Sequence, residues 1–442
     1  MNKMLLVLAT LLLLITACTS DVLENPIDAQ LEQALNSASN NQGANYFVLP
    51  DEEDLAAIPQ DPANPLTQEK VHLGRMLFYE TGLALDAKQE LGMGTYSCAS
   101  CHIPSAGFMP GRIQGIADGG IGIGQNGEGR LKYPTYEDTD LDVQGARPLS
   151  MLNVAFVTNS TWAGQFGAGG VNEGTEYAWT GVRHVNHLGF SGLESQNIEG
   201  LDLHRMIVNK EVMDRFGYTK YYDAAFPDFP EEERYSKITT SFALSAYLRT
   251  LLTTESPWQQ YLKGDQGALS QEEKNGALLF FSKARCYTCH TGPALNSMRF
   301  YALGVNDLCD IGGLATGADD ERNFGRGGFT GKEEDMFKFK VPQLYNLADS
   351  PFYFHGSSKQ SLEEVVQYFN VGEPENARVP LEQIPPHLRP LNLTTEEVAD
   401  ITSFLEKSLR DPNLDRYVPA MVLSGNCYPN NDVLSKAELG CE

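Results

Sequence analysis

The chain has 442 residues, of which 42% are hydrophobic and 10% aromatic, so it is long enough for two ordinary domains and suggests neither a disordered nor a fibrous protein. Its 33 basic and 58 acidic residues give a formal charge of −25, which makes nucleic acid and bare anionic lipid surfaces poor partners. The same charge would steer a basic protein partner towards it.

An apolar run opens the chain. Residues 4–15 (MLLVLATLLLLI) follow Lys3 and are too short to span a bilayer, a pattern typical of a signal peptide, so we expect export. The sequence Thr-Ala-Cys that ends at Cys18 resembles the lipobox of bacterial lipoproteins, in which the cysteine is acylated. We therefore predict a signal peptide over 1–18, a lipid anchor in the cell envelope and a flexible tether over 19–54; a chance cysteine is the alternative.

The rest of the chain repeats one order of elements. A helix-like segment containing Gly-x-x-Leu-Phe, at residues 74–78 and again at 276–280, precedes a Cys-x-x-Cys-His motif, which begins at Cys98 and at Cys286. An amphipathic helix then closes each half. Its apolar positions are Ile238, Phe242 and Leu248 in the first half, and Val398, Ile401, Phe404 and Leu405 in the second.

This order resembles that of a cytochrome c domain. We predict a mainly α fold with two cytochrome c-like domains, over residues 55–255 and 256–412, and a tail over residues 413–442. Gly-rich stretches between each motif and its closing helix show no periodicity and are predicted to form long irregular loops. A disulfide between Cys427 and Cys441 would suit an oxidising compartment, although sequence alone does not fix the connectivity.

Each Cys-x-x-Cys-His motif is predicted to hold one c-type haem. The two cysteines can each add across a vinyl group, and the adjacent histidine is placed to ligate the iron. A zinc site would need four ligands, and a thioredoxin-like dithiol needs no histidine, so both alternatives fit less well. The predicted residues are Cys98, Cys101 and the proximal ligand His102 for the first haem, and Cys286, Cys289 and the proximal ligand His290 for the second.

Longer stretches carry a more specific resemblance. They include LGRMLFYE, SCASCHIPSAGF, ARPLSMLNVAF, GALLFFSKARCYTCHTGP and FKVPQLYNLADSPFYFHGS. From about residue 66 to residue 409 the sequence resembles the bacterial di-haem cytochrome c peroxidase family, which includes MauG-type relatives that modify proteins. The resemblance implies a peroxide-reducing haem in the first domain and an electron-receiving haem in the second.

Two haems have a physical reason in such an enzyme. Reduction of hydrogen peroxide takes two electrons, whereas a donor such as a small cytochrome c delivers one at a time. The family places a tryptophan between the haems, and Trp162 occupies that place here. An indole can shorten an electron path, so Trp162 is the candidate bridge, with a buried packing role as the alternative.

The distal side of the first haem departs from the family pattern. Many members carry a histidine there that must leave before peroxide binds, but residues 103–162 contain no histidine. We therefore predict that the first haem is open, or weakly blocked, in the resting state. An acid–base group should assist O–O cleavage, and the resemblance makes Glu199 and His204 the candidates, with Gln196 as a support. A solvated charge at Glu199 and a surface or core role for His204 are the alternatives.

The sixth ligand of the second haem is left open by the sequence. Phe369 occupies the position at which relatives carry methionine or tyrosine, and a phenyl ring cannot ligate iron. Tyr368, Met336 and Met298 are the alternatives, although each is also typical of core packing.

The leading hypothesis is a di-haem peroxidase in which a small donor protein reduces the second haem and hydrogen peroxide is reduced to water at the first. The enzymatic alternative is a MauG-type oxidase of a protein or organic substrate, and the non-enzymatic alternative is a di-haem electron carrier. A homodimer is left open. So is a calcium site between the domains, which the resemblance suggests for segments containing Asn153, Asp349 and Pro351.

Overall fold

The computed structural model describes residues 26–441, so the predicted signal peptide and the lipid site at Cys18 lie outside the described residues. Helices and short 3-10 turns dominate, which confirms the mainly α prediction. The α-helices of the described residues are α1 (Pro26–Ala38), α2 (Gln68–Phe78), α3 (Gly192–Leu203), α4 (Lys210–Phe216), α5 (Thr219–Ala225), α6 (Glu231–Arg234), α7 (Lys237–Arg249), α8 (Pro257–Leu262), α9 (Gln271–Phe280), α10 (Arg326–Thr330), α11 (Leu362–Val371), α12 (Thr395–Ser403) and α13 (Val433–Leu439).

Strands are few and short. The antiparallel pairs within residues 26–441 are β1 (Gly120–Ile121) with β2 (Leu131–Lys132), and β3 (Ser297–Tyr301) with β4 (Phe339–Val341). Over the same residues, none of the helices combines the length and the apolar character that crossing a bilayer would require.

The glycine of the repeated Gly-x-x-Leu-Phe pattern lies where two helices cross. At Gly74, where α2 packs against α7, a Cβ atom would lie 1.9 Å from the carbonyl oxygen of Ala243. At Gly276, where α9 packs against α12, it would lie 2.0 Å from the carbonyl oxygen of Asp400. Only glycine permits such a close backbone approach, so the pattern builds the same helix pair beside each Cys-x-x-Cys-His motif.

The described residues form two main hydrophobic cores. The first is built around α2 and α7, where Phe78 and Tyr247 pack edge to face with ring centroids 5.4 Å apart. The second is built around α9 and α12, where Trp258 packs against Phe281 and Phe404. Each core therefore supports one of the two motifs.

The predicted tether is wrong for its described part, residues 26–54. This segment contains α1, whose Leu31 and Leu35 are buried in the second core. Asp28 of α1 also forms a buried ion pair with Lys274 of α9, with 2.8 Å between oxygen and nitrogen. The tether was predicted from the Asn-, Ser- and Ala-rich composition, although the segment also contains an apolar stripe with helical spacing. That stripe packs the segment onto the second half.

Truncation of this stripe should therefore destabilise the protein. We expect Leu31→Ala to lower the free energy of unfolding by about 2 to 5 kcal/mol, because Leu31 is 0% exposed and its removal leaves a cavity. Urea unfolding of the haem-loaded protein measures the effect, with the exposed Gln33→Ala on the same helix as the control. Equal stability of the two variants would contradict the packed helix and restore the tether.

The C-terminal tail packs on the first half although it follows the second. Tyr417 belongs to the first core, and Cys427 is joined to Cys441 by a disulfide. Arg130 and Asp432 form a buried ion pair, 3.2 Å apart, that ties the tail to the loops of the first half. The domain boundaries predicted from the sequence, 55–255 and 256–412, therefore leave out two segments. The segment that contains α1 packs in the second core, and the C-terminal tail packs in the first.

Candidate haem-binding cavity and active site

A single large cavity connects the two Cys-x-x-Cys-His motifs. Its volume is about 1050 Å³, slightly above the usual range for small-molecule and cofactor sites. The motif residues that line it are Cys98, Cys101, His102, Cys286, Cys289 and His290. The fold therefore brings together two motifs that are far apart in the sequence.

Both motifs adopt the same local backbone. Each starts with a 3-10 turn, Cys98–Ser100 and Cys286–Thr288. In each, the backbone N–H of the histidine donates to the backbone carbonyl oxygen of the first cysteine, at 3.1 Å for His102 and 3.0 Å for His290. This turn directs both cysteines and the histidine of a motif towards one region of the cavity.

The two motif histidines are oriented by their Nδ1 atoms. Nδ1 of His102 donates to the carbonyl oxygen of Phe108 at 3.1 Å, and Nδ1 of His290 lies 3.0 Å from the carbonyl oxygen of Leu295 and 3.1 Å from that of Pro342. Burial lowers the pKa of each imidazole to about 4, so both rings are neutral near pH 7. A neutral imidazole that donates from Nδ1 presents Nε2 as a metal ligand.

Two buried cations on the cavity wall were missed by the sequence analysis. Arg147 is 2% exposed and donates to the carbonyl oxygens of Pro110 and Arg112, whereas Lys340 is 3% exposed and its Nζ lies 3.1 Å from the carbonyl oxygen of Asn159. Neither forms an ion pair with any residue in 26–441. Burial lowers the pKa of Arg147 to about 9 and that of Lys340 to about 7.

A haem would satisfy these cations and two unpaired polar atoms of the cavity wall. A buried cation without a counter-charge is costly, and the carboxylates of a haem would supply that charge. Gln144 Oε1 and Thr161 Oγ1 also line the cavity walls as buried atoms without a hydrogen-bond partner among the described residues. Anionic and polar groups are therefore expected in the cavity, beside the paired cysteines and neutral imidazoles.

His204 lies on the cavity wall and is held by two contacts. Its Nδ1 lies 2.7 Å from Oδ2 of Asp142, and the Tyr96 hydroxyl donates to its backbone carbonyl oxygen at 2.9 Å. Burial alone lowers the pKa of His204, but the charge of Asp142 and the hydrogen bond to it outweigh that effect and raise the pKa overall. His102 of the first motif lines the same cavity, and a positive charge on His204 adds to the burial that lowers the pKa of His102.

The other two residues predicted to act on the distal side of the first haem, Gln196 and Glu199, differ in their position relative to the cavity. Gln196 of α3 lines the cavity, whereas Glu199 does not. Burial, and then the charge of Asp202, raise the pKa of Glu199, while Lys237 opposes them. Asp202 and Lys237 form an exposed ion pair with each other, so Glu199 lies beside a surface pair and not against the cavity.

Trp162 lies in the cavity wall and is linked to the second motif. Its indole packs edge to face on Phe339 of β4, with centroids 6.3 Å apart, and its carbonyl oxygen accepts from the N–H of Lys340 at 2.8 Å. β4 leads to Pro342, whose carbonyl oxygen is an acceptor for His290. Trp162 therefore lies in the wall of the cavity that both motifs line, on the side of β4, and its role as a bridge stays a prediction.

The second motif faces a different set of residues. Phe369 lines the cavity, whereas the alternative ligands Tyr368, Met336 and Met298 do not. Tyr368 instead donates its hydroxyl to a backbone carbonyl oxygen at 2.5 Å. His387, which the sequence analysis did not single out, also lines the cavity here.

The segments suggested for calcium hold their side chains in other contacts. Nδ2 of Asn153 lies 2.9 Å from Oγ1 of Thr253, and Asp349 accepts from Arg410 at 2.6 Å. Within residues 26–441, no cluster of three or more His, Cys, Asp or Glu side chains could hold a metal ion. Calcium stays a prediction from the resemblance.

Comparison with known proteins supports the resemblance. Residues 68–267 match the family model described as di-haem cytochrome c peroxidase. The chain is 27% identical to the cytochrome-c peroxidase IdrP1 of Denitromonas iodatirespirans, covering 81% of this chain and 86% of that one. It is also 27% identical to the methylamine utilization protein MauG of Methylorubrum extorquens, covering 82% and 87%. A crystal structure of a MauG-like protein associated with microbial copper homeostasis aligns with a TM-score of 0.55 at 25% identity, covering 83% of this chain and 94% of that one.

Proposed function

Because residues 68–267 belong to the di-haem cytochrome c peroxidase family, we propose that the chain reduces hydrogen peroxide to water with electrons from a small donor protein, using two c-type haems. The observation that carries this proposal is the cavity shared by both motifs, with His204 and Asp142 on its wall. When bound, the haems supply the redox chemistry, and the residues of the chain supply attachment, protons and an electron path.

His204 is the group that handles protons in this proposal. Its Nδ1–H is held by Asp142, so Nε2 is free to hold a proton and deliver it to an oxygen atom in the cavity. Asp142 also stabilises the protonated imidazole, and Gln196 is placed on the same wall to orient a small polar substrate. Glu199 has no part in this step because it does not line the cavity.

The second motif receives electrons, and Trp162 carries them towards the first. The contacts of Trp162 with Phe339 and with the backbone of β4 support this path, since they place an aromatic ring in the wall that both motifs share. The predicted leader and lipobox further support an exported protein anchored in the cell envelope.

The test is stopped-flow absorbance of the haem-loaded protein mixed with hydrogen peroxide, first fully oxidised and then half-reduced, with a reduced small cytochrome c as the donor. We expect a rapid change of the Soret band and multiple turnovers of the donor. Turnover from the oxidised start would agree with an open first haem, whereas turnover after half-reduction alone would indicate a ligand that must leave. No reaction in either state would refute the peroxidase and favour an electron carrier.

A MauG-type oxidase is the second candidate, favoured by the equal identity of 27% to MauG and to a peroxidase. Such an enzyme would oxidise a protein or organic substrate faster than a reduced cytochrome. Parallel assays with reduced cytochrome c and with tryptophan- or tyrosine-containing peptides distinguish the two.

The proton role of His204 predicts a pH effect. The charge of Asp142 keeps the pKa of His204 raised, so the protonated imidazole persists to higher pH and is lost as the pH rises through that pKa. Asp142→Asn leaves burial unopposed, and burial lowers the pKa of His204. We therefore expect that, between about pH 5 and pH 9, peroxide turnover of Asp142→Asn declines at a lower pH than turnover of the wild type. An unmoved basic limb would exclude His204 as the proton donor.

A further inference from the structure

Three basic side chains surround the second motif at the surface: Arg285, Arg299 and His387, here called the basic mouth. All three are exposed, and all three line the cavity together with Cys289. Arg285 directly precedes the first cysteine of the motif. Arg299 of β3 donates from Nη2 to the carbonyl oxygens of Thr288 and Cys289, the latter at 3.4 Å. The basic mouth is therefore built onto the backbone of the motif.

The three groups are also close to one another. The ring of His387 packs edge to face on Tyr301 of β3, with centroids 4.8 Å apart, two residues after Arg299. Burial lowers the pKa of His387, and the charges of Arg299 and Arg285 lower it further. His387 is therefore neutral near pH 7, and the positive charge of the basic mouth comes from the two guanidinium groups.

Among the described residues, neither of these guanidinium groups forms an ion pair with a carboxylate. No ion pair among residues 26–441 includes Arg285 or Arg299, whereas Lys283, two positions before Arg285, is neutralised by Glu397 at 2.6 Å. The chain has 58 acidic residues and 33 basic ones, so carboxylates that could pair with Arg285 and Arg299 are abundant. Two unpaired cations at one opening stand out against this strongly acidic surface.

The first motif offers no such opening to a protein. Its inner residues Ala99 and Ser100 are 0% and 2% exposed. The C-terminal tail packs against this motif, since the hydroxyls of Ser97 and Ser100 donate to the carbonyl oxygen of Pro429 at 2.8 and 3.3 Å. In the second motif Thr288 occupies the place of Ser100 and is exposed. A macromolecular partner can therefore approach the second motif more closely than the first.

We propose that the basic mouth is the docking surface for the electron-donor protein, and that this donor presents an acidic patch to it. The proposal rests on the proposed function, which requires a donor at the second motif. It reverses the expectation of a basic donor that the net charge of −25 suggests. At about 0.1 M salt the Debye length is about 10 Å, so the charges at the point of contact outweigh distant ones.

The test compares two reduced small c-type cytochromes as probes, one acidic and one basic, in stopped-flow reduction of the haem-loaded protein. With the wild type at about 0.1 M salt, the rate constant for the acidic cytochrome should fall as salt is raised further, as for two attracting surfaces. In the double variant R285E/R299E this rate constant should fall by about tenfold or more. The neutral pair R285Q/R299Q should show a smaller loss in the same direction.

The matched control is R215E/K220E, which changes the net charge by the same amount at exposed residues that do not line the cavity. It should reduce the rate for the acidic cytochrome far less than R285E/R299E does. Equal losses in both double variants, no loss in either, or no reduction of the wild type by the acidic cytochrome would overturn the docking surface. Loss of bound haem from both arginine variants would assign the arginines to cofactor retention and overturn it too.

The proposed function is tested separately with the wild type, using a small neutral hydroquinone in place of the cytochromes. Peroxide consumption with the hydroquinone, together with a failed docking test, would leave the peroxidase intact and refute the basic mouth alone. No peroxide consumption with any reductant would refute the peroxidase itself.

Discussion

Serine in place of both Cys98 and Cys101 is expected to lower the covalently bound haem from about two to about one per chain. Cys98 begins a 3-10 turn, Cys101 and His102 directly follow it, and the second motif repeats that arrangement in another part of the cavity. Each pair should therefore hold its own haem independently. The pyridine haemochrome assay after extraction with acidified acetone measures the covalent fraction, and peroxide turnover should be lost with the first haem.

The remaining thiols provide the controls. Cys309 is a free cysteine outside both motifs, so Cys309→Ser should retain about two covalent haems. Replacing Cys286 and Cys289 together should again leave about one haem, now at the first site. Two extraction-resistant haems in the variant lacking Cys98 and Cys101 would show that these cysteines are not the attachment points.

The fold was predictable where the signal was local. The capping box at Ser270 and Glu273 begins α9, and the spacing of Val398 and Ile401 marks α12. The helix α1 was missed because its apolar residues lie in a polar, Ser- and Asn-rich context, and its stability comes from docking onto the second core. No local pattern reports such a long-range contact.

The candidate site was predictable only in part, for the same reason. His204 and Gln196 followed from the resemblance, and both line the cavity. Asp142 lies outside the stretches that carry the resemblance, and Arg147 and Lys340 lie within them but were not singled out, because their importance comes from burial and from partners distant in sequence. The buried lysine in particular is indistinguishable in sequence from a solvated surface lysine.

The choice between two acid–base candidates gives the second large prediction. His204→Gln should lower peroxide turnover by roughly a hundredfold or more, because glutamine can form hydrogen bonds but cannot hold a transferable proton at the position of Nε2. Steady-state oxidation of a reduced cytochrome by hydrogen peroxide gives the turnover number. The rate of the Soret change after mixing with peroxide, measured on the same preparation, shows whether the loss lies in the reaction with peroxide itself.

Glu199→Gln is the matched control, since it removes a carboxylate that lies three residues along the same helix from Gln196 but outside the cavity lining. It should change turnover by less than about twofold, whereas a role as the distal acid would cost roughly a hundredfold. A large loss in Glu199→Gln with normal turnover in His204→Gln would reverse the assignment. It would also mean that α3 moves when the haem binds, because a carboxylate beside the Asp202 and Lys237 ion pair cannot otherwise reach a substrate in the cavity.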